Sequence, residues 1–292
     1  VTMNSTVAQN ETINANLILG TAIASTTTFT NNSTTNLLTL GGNITGGTGG
    51  VGVAKTIIVT GAGNTSISGS ISNGGGTSVA VQNSGVGTLT LSGNNSYSGA
   101  TSASVGTLVL SGTNSSAGTT TTSTGATLQL ANTTANNGGL ASGTLTIGNG
   151  TTLTVASAGS LTISNSVNGT QNYTISGSQS LTINGTFQKI GNGGTLTNNI
   201  TGGNLTLNGP VYLSDSAAGR TLNLGGNGSI IVNGNIANFN GVSTGPANIN
   251  TGTTGTTLTI NGNNNTYNGT TLIGGGAVIL NGTISASFIS LN

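Results

Sequence analysis

The sequence predicts an all-β protein, a right-handed parallel β-helix (β-solenoid) whose turns are about 19–20 residues long. Two observations support this prediction. Short stretches in which an apolar residue alternates with Thr, Ser or Asn recur along the 292 residues, separated by Gly and Asn-Gly. One of them, GTLTLSG from Gly87, returns as GTLVLSG from Gly106, 19 residues later. A repeat at that distance is typical of a coil whose turns stack on one another.

The composition argues against helices. Only three side chains are basic and two are acidic, so the strong helix formers Glu, Lys and Arg are almost missing. The chain holds 52 Gly and is rich in Asn, Thr and Ser, which favour turns and strands over helix interiors. No stretch approaches the roughly 18 consecutive apolar residues of a membrane-spanning helix. We therefore expect strands and turns throughout, and no insertion into a membrane.

The predicted strands follow one another along the chain. Each alternates with period 2 over a few residues, which is the pattern of a strand with one buried face, and most end at Gly or Asn-Gly. In chain order they include LLTLGG from Leu37, TIIVTG from Thr56, TLQL from Thr127, TLTIGNG from Thr144, SLTISNS from Ser160, SLTINGT from Ser180, NLTLNG from Asn204, TLNLGGNG from Thr221, SIIVNGN from Ser229 and TLTINGN from Thr257.

A parallel solenoid accounts for the repeated phrase. A turn of 19 residues places Leu89 above Leu108 and Leu91 above Leu110, which gives inward apolar ladders. Thr and Ser then line the outside, and Gly and Asn take the corners, where positive φ is needed. The alternative is a sandwich or up-and-down barrel, in which Asn-Gly turns close two-residue hairpins. Like residues spaced to stack on like favour the solenoid.

We divide the chain into an extended N-terminal arm, residues 1–16, and a single β-solenoid domain, residues 17–292. The clearest copies of the repeat lie near 87–112 and 257–282. One turn of such a coil buries little apolar surface, whereas a stack of turns buries a continuous narrow core. The two ends of the stack present strand edges that must be capped or paired.

The reactive side chains argue against an enzyme. The sequence has no His and no Cys, so it offers neither a zinc site nor a nucleophile with its base. The only acids are Glu11 and Asp215, and Glu11 belongs to the predicted arm, so a paired-carboxylate site is not expected. We therefore expect no catalytic residue, no metal and no cofactor.

The remaining charges receive structural interpretations. Asp215 and Arg220, in SDSAAGR, are predicted to form a surface ion pair across a loop. Lys55 and Lys189 are predicted to be single solvated charges at the starts of strands. Three basic residues are too few to hold nucleic acid, which requires several phosphate contacts.

Two stretches resemble the autotransporter-associated β-strand repeat. GTLTLSGNNSYSGATSASVGTLVLSG from Gly87 and TLTINGNNNTYNGTTLIGGGAVILNG from Thr257 resemble its pattern, which runs G-x-L-x-L-x-G, Asn-x-Tyr-x-Gly, a Thr-rich stretch and a second G-x-L-x-L-x-G. The second copy has one extra residue, and KIGNGGTLT from Lys189 resembles part of the pattern. Tyr97 and Tyr267 occupy the same position in the two copies, where we expect packing at a solenoid corner rather than stacking on a sugar.

The resemblance implies a secreted β-solenoid and no particular activity. The repeat occurs in passenger regions of bacterial autotransporters and in related secreted surface proteins, which include adhesins, enzymes and structural stalks. The chain ends without room for a translocator barrel, so we expect a cleaved passenger or a stand-alone secreted protein. Its polar start lacks the basic and apolar segments of a signal peptide, as expected of a mature N-terminus.

Function then rests on surface and assembly. A nearly uncharged chain has little electrostatic repulsion to keep its copies apart. We expect a secreted, extracellular or cell-surface structural protein, the subunit of a filament, sheath or matrix, whose copies join head to tail through solenoid edges and terminal strands. The alternative is an autotransporter-type adhesin, a rod that mediates surface attachment, with cell-surface or matrix glycans as partners. The candidate assembly contacts are apolar side chains on one face of each terminal segment: Val1, Met3, Val7, Ile284, Ala286 and Phe288.

Overall fold

The strands group into two all-β units, Val1–Gly143 and Thr144–Asn292. Each unit is described by itself. The strands pair in parallel, as a solenoid requires. The computed structural model describes residues 1–20, 23–47, 52–75, 77–115, 117–216, 218–239, 245–252, 255–284 and 288–291.

The first unit begins at the N-terminus and ends after a short 3-10 helix, Thr134–Gly139. Its strands are β1 (Thr2–Met3), β2 (Glu11–Ile13), β3 (Leu17–Ile18), β4 (Ser25–Asn31), β5 (Leu38–Leu40), β6 (Ile44–Thr45), β7 (Val53–Thr60), β8 (Thr65–Ile67), β9 (Ile71–Ser72), β10 (Thr77–Asn83), β11 (Thr88–Leu91), β12 (Thr101–Ala103), β13 (Thr107–Leu110), β14 (Thr120–Thr122) and β15 (Thr127–Leu130).

The second unit consists of strands and turns over its described residues. Its strands are β16 (Leu145–Ile147), β17 (Thr151–Val155), β18 (Leu161–Ile163), β19 (Val167–Thr170), β20 (Tyr173–Gly177), β21 (Leu181–Ile183), β22 (Phe187–Ile190), β23 (Thr195–Ile200), β24 (Asn204–Leu207), β25 (Val211–Tyr212), β26 (Thr221–Gly226), β27 (Ser229–Val232), β28 (Ile236–Ala237), β29 (Asn248–Asn250), β30 (Thr257–Ile260), β31 (Thr270–Ile273), β32 (Ala277–Leu280) and β33 (Phe288–Leu291).

Within each unit the chain coils through three parallel sheets, and each turn adds a strand beside the strand of the preceding turn. The sheets of the first unit are β1-β4-β7-β10-β12-β14, β2-β5-β8-β11-β13-β15 and β3-β6-β9. Those of the second unit are β16-β19-β22-β25-β28, β17-β20-β23-β26-β29-β31-β33 and β18-β21-β24-β27-β30-β32. The predicted parallel β-solenoid is therefore confirmed. The hairpins of the alternative sandwich do not occur among the described residues.

The register confirms the stacking predicted from the repeated phrase. Leu89 lies opposite Leu108, and Leu91 opposite Leu110, so this turn takes 19 residues. The next turn, from β13 to β15, takes 20. Other turns are longer, and the one from β4 to β7 takes 30. The predicted period thus holds for part of the chain, and elsewhere longer corner loops separate strands that still pair in line.

The core follows from the alternation within each strand. In β11, Leu89 and Leu91 are buried, whereas Thr88 and Thr90 are half-buried on the outer face. The same pattern recurs in both units, so Leu, Ile and Val form continuous inward ladders that are removed from water. Hydroxyl and amide side chains cover much of the outside in place of charges.

Glycines at one corner allow neighbouring turns to approach closely. Gly93 follows β11, and Gly112 follows β13 at the equivalent place. A Cβ atom on Gly93 would overlap the carbonyl oxygen of Gly69, and a Cβ atom on Gly112 would overlap that of Gly93. The glycine that closes each copy of the repeated phrase is therefore required by stacking.

The prediction of an extended N-terminal arm over residues 1–16 is wrong. These residues form the first turn, in which β1 pairs with β4 and β2 pairs with β5. Met3, predicted as an assembly contact, is only 4% exposed because it lies opposite the inward-facing Asn31. Each unit is a β-solenoid by itself, and a single solenoid domain over residues 17–292 stays a prediction.

Candidate functional site

The second unit has three charged side chains, and all three lie around one loop: Lys189, Asp215 and Arg220. This loop, between β25 and β26, carries Asp215 and Arg220, and Arg220 Nε donates to Asp215 Oδ1 at 3.0 Å. Asp215 Oδ2 accepts a hydrogen bond from the backbone N–H of Gly191 at 2.9 Å. Because Gly191 directly follows β22, the confirmed ion pair also ties the loop to the preceding turn.

The prediction that Lys55 and Lys189 are solvated is wrong. Both side chains point into the solenoid and are at most 1% exposed. Lys189 Nζ donates to the carbonyl of Ile190 at 2.9 Å and to that of Gly191 at 3.3 Å. Lys55 Nζ donates to a backbone carbonyl and to Ser25 Oγ. Their long aliphatic stems pack in the core, while backbone and hydroxyl oxygens receive the ammonium protons.

Burial and neighbouring charges set the protonation of these groups. Burial lowers the pKa of Lys189 below its usual 10.5, although the Asp215 carboxylate opposes this shift. Burial alone would raise the pKa of Asp215, but hydrogen bonds from Gly191 and Arg220 and the charge of Arg220 lower it below 3.8. Each oxygen of this carboxylate already accepts a hydrogen bond, so its geometry is that of a structural tie.

The other acid, Glu11, lies exposed in β2 of the first unit. Over the described ranges, no three His, Cys, Asp or Glu side chains come close enough together to hold a metal ion. The described part of the chain also contains no helix with the length and apolarity needed to span a membrane.

Tyr97 and Tyr267 occupy equivalent places, as the repeat predicts. Both are fully buried, and their hydroxyls bond to Thr101 Oγ1 at 2.6 Å and to Thr271 Oγ1 at 2.5 Å. Burial raises the pKa of Tyr97 to about 12, although hydrogen bonds to Thr101 and Asn114 offset part of the rise. Both rings are packing residues of the core and offer no surface to a ligand.

The first turn of the first unit leaves a cavity open. In this unit β1, β2 and β3 are the outermost strands of their sheets, and no described strand covers them. An open cavity of about 290 Å³ lies between β3 and β4. Ile18, at its mouth, is 66% exposed. The cavity is lined by Val1, Leu17, Ile18, Leu19, Gly20, Ser25, Thr27 and Phe29.

In the last turn of the second unit, two apolar side chains lie on the inward-facing side of their strand and are nevertheless exposed to solvent. In β33, Ile289 lies opposite Thr271, and Leu291 lies opposite Ile273. Thr271 is buried, so by the alternation of the strand Ile289 and Leu291 point the same way. They are nevertheless 51% and 77% exposed, because no described turn covers β33.

The structure places the predicted assembly contacts in different surroundings, and their role in assembly stays a prediction. Val1 lines the open cavity, whereas Val7 lies half-buried in the loop between β1 and β2. Ile284 is half-buried after β32. Ala286 lies outside the described residues. Phe288 begins β33, and its side chain lies outside the described part.

Sequence analysis missed four side chains of the terminal turns, namely Leu17, Ile18, Ile289 and Leu291. The signal for the last two lies in the final strand itself. In FISL, Ile289 and Leu291 take the same alternate places that the buried Leu258 and Ile260 take in TLTI of β30.

Asparagine side chains form a ladder along the second unit. In each step the Nδ2 of one Asn donates to the Oδ1 of the Asn in the preceding turn, at 2.7–2.9 Å. All these amides thus point the same way along the stack. The five members, each followed by Gly, are Asn184, Asn208, Asn233, Asn261 and Asn281.

Comparison with known proteins finds no family model, no curated protein and no solved structure that matches this chain. The resemblance to the autotransporter-associated repeat therefore rests on the quoted stretches of sequence alone.

Proposed function

We propose that this chain is a secreted structural protein whose copies join end to end in an extracellular filament, sheath or matrix. In this arrangement the last turn of one copy stacks on the first turn of the next. The observation that carries the proposal is the exposure of Ile289 and Leu291, which face the core direction at an uncovered edge. The resemblance to a repeat of secreted surface proteins supports the extracellular location.

Stacking would bury apolar surface on both partners. Full burial of a Leu or Ile side chain stabilises a structure by roughly 1.5–3 kcal/mol relative to leaving it exposed. The cavity between β3 and β4 presents exposed apolar side chains, including Val1 and Ile18, to the exposed side chains of β33 on another copy. The uncovered backbone of β33 can also pair in parallel with a first-turn strand, as β31 pairs with β33.

Such a contact joins two different surfaces, so each added copy leaves another free end. Head-to-tail contacts build an open filament unless the rotation between copies closes a ring, whereas a symmetric contact stops at a dimer. The formal net charge of only +1 leaves little repulsion between copies. The proposed product is therefore a filament.

The test compares the unaltered chain with two variants by negative-stain electron microscopy and sedimentation velocity at neutral pH and moderate salt. We expect the unaltered chain to form filaments as its concentration rises. Leu291→Asp should raise the concentration needed at least about tenfold, because it places a charge in the contact. Val86→Asp is the matched control, since Val86 is 71% exposed at a corner between β10 and β11, away from both terminal turns.

A mixing experiment distinguishes head-to-tail from symmetric contacts. Ile18→Asp should block the first-turn surface, and Leu291→Asp the last-turn surface, with unchanged circular dichroism. At a concentration where the unaltered chain forms filaments, each variant alone should stay monomeric, whereas their mixture should give dimers that grow no further. A chain that stays monomeric at high concentration, or a Val86→Asp variant as defective as Leu291→Asp, contradicts the proposal.

A further inference from the structure

Two aromatic side chains are more exposed to solvent than the other described aromatic side chains. Tyr97, Tyr173, Tyr267, Phe29 and Phe187 are buried in the core. Tyr212 and Phe239, by contrast, are half-exposed. Tyr212 lies on the outer face of β25, and Phe239 follows β28, the next strand of the same sheet. A chain with only eight aromatic residues thus places two of them together on one surface of its second unit.

These rings border a groove of about 380 Å³ that is otherwise polar. Its remaining lining consists of the amides of Asn168 and Gln188 and the hydroxyls of three Ser or Thr side chains. Asn168 lies opposite Gln188, and Gln188 lies opposite Tyr212, so amide, amide and ring follow one another in successive turns. Neighbouring strands are about 4.8 Å apart, which sets the spacing of these groups.

The groove is preformed by the sheet. Gln188 Nε2 donates to the backbone carbonyl of Ser214 at 3.2 Å, which holds the amide against the next turn. Val211, the neighbour of Tyr212, is buried, and this fixes Tyr212 on the outer face of its strand. A ligand would therefore find the Gln188 amide and the Tyr212 ring already in place, which lowers the entropy lost on binding.

The lining selects the chemical class of the ligand. None of the described residues that line the groove is charged, which disfavours phosphates, nucleic acids and acidic sugars. The groove lies on a sheet face, where strand pairing with a peptide is not available. Aromatic rings can stack on the C–H faces of sugar rings, while amides and hydroxyls exchange hydrogen bonds with sugar hydroxyl groups. A linear neutral glycan satisfies both kinds of group at once.

We propose that the groove formed by Tyr212, Phe239, Asn168 and Gln188 binds a neutral saccharide chain. Tyr212 and Phe239 supply the stacking surfaces, and the two amides orient the sugar hydroxyls along successive turns. The site does not depend on end-to-end assembly, because none of these four residues belongs to the first turn of the first unit or to β33, the surfaces proposed to join copies. It would attach the protein to a polysaccharide surface.

Isothermal titration calorimetry on the full chain tests this site with three neutral probes: cellohexaose, N-acetylchitohexaose and maltohexaose. We expect at least one of them to bind. Tyr212→Ala and Phe239→Ala should each weaken that binding about tenfold or more, as truncation of a buried aromatic contact does. Gln188→Ala should weaken it less. Gln129→Ala is the matched control, because Gln129 is a half-buried outward glutamine of β15 in the first unit.

Three outcomes overturn the proposal. One is the absence of binding for all three neutral probes at millimolar concentration. Another is binding that Tyr212→Ala and Phe239→Ala leave unchanged while circular dichroism shows both variants folded. The third is binding of an acidic probe, hexagalacturonate, in preference to every neutral one. Phe239→Leu, which keeps apolar volume but removes the flat ring, serves as a second variant if Phe239→Ala fails to fold.

Discussion

The buried tyrosines differ in whether their hydroxyl groups have hydrogen-bond partners. The hydroxyl of Tyr97 bonds to Thr101, and that of Tyr267 bonds to Thr271. The hydroxyl of Tyr173 is buried without a hydrogen-bond partner among the described residues, and burial raises its pKa. It lies against Gly169, where a Cβ atom would overlap it. Removal of the hydroxyl should therefore have opposite effects at Tyr97 and Tyr173.

We expect Tyr97→Phe to lower the free energy of unfolding by about 1–2 kcal/mol, because Thr101 loses its bond inside the core. Tyr173→Phe should leave this free energy unchanged or raise it by up to about 1 kcal/mol, because an unpaired polar group leaves the core. Urea unfolding measures both, with the half-exposed Tyr212→Phe as the control. Equal destabilisation by the two core variants would show that the Tyr173 hydroxyl is hydrogen-bonded.

At the scale of the structural element, the corner that contains Gly93 and Gly112 should tolerate substitution poorly, because neighbouring turns of the solenoid approach each other closely there. Gly93 and Gly159 both lie in segments that connect strands, and neither has a φ in the left-handed region. They differ in their surroundings. A Cβ atom on Gly93 would overlap the carbonyl oxygen of Gly69 in the preceding turn of the solenoid, whereas a Cβ atom on Gly159 would meet nothing within 4 Å. The contrast separates the effect of stacking from the general flexibility of glycine.

Gly93→Ala is expected to lower the free energy of unfolding by about 1–3 kcal/mol, because adjacent turns must move apart to admit the methyl group. Gly159→Ala should instead raise it by up to about 1 kcal/mol, because alanine reduces the conformational freedom of the unfolded chain. Thermal and urea unfolding of the two variants give the comparison. A Gly93→Ala variant as stable as the unaltered chain would mean that the corner has room to spare.

At the scale of the whole molecule, few groups can link stability to pH. The sequence has no His and only five charged side chains. Burial lowers the pKa of Lys189, so between that value and 10.5 the unfolded chain binds more protons than the folded one. The free energy of unfolding should therefore rise with pH in this interval. Asp215 acts on the acid side, where stability should fall as pH drops below 3.8 through its lowered pKa.

We expect Lys189→Met to abolish the alkaline rise in stability, because the residue that loses its proton on folding is gone. Asp215→Asn should remove the acid-side loss that this carboxylate causes. Both are measured as melting temperature against pH for the unaltered chain and the two variants, from about pH 2.5 to 9.5, below the range in which the tyrosines of the unfolded chain lose their protons. A rise of the same slope in Lys189→Met would assign the alkaline effect to another group.

The sequence predicts the stacking well where like residues recur at a constant distance. Leu89 and Leu108 belong to matching phrases, and the structure pairs them. The sequence is a poor guide to whether a single charged side chain points inward or outward, because the orientation of the side chain depends on which face of its strand is buried. Lys189 lies two residues after the buried Phe187, so the alternation places both on the same face, and the strand carries the charge into the core.

Turn length and the terminal turns were harder to predict, for a different reason. The corner loops carry no repeated pattern, so nothing in the sequence fixes the 30-residue turn from β4 to β7. The polar composition of residues 1–16 predicts an arm, whereas the pairing of these residues with the next turn is a long-range property. The groove at Tyr212 and Phe239 likewise joins residues of different turns, and a local pattern cannot reveal it.

The asparagine ladder gives the stack a direction. Every amide from Asn208 to Asn281 donates toward the turn before it, so the amide dipoles add along the row. The two ends of such a row differ chemically. A copy added in the opposite orientation would therefore bring two identical ends together. A fibre built from this chain would therefore be a polar polymer, with a fast and a slow growing tip, and seeds fixed at one tip would elongate in one direction only.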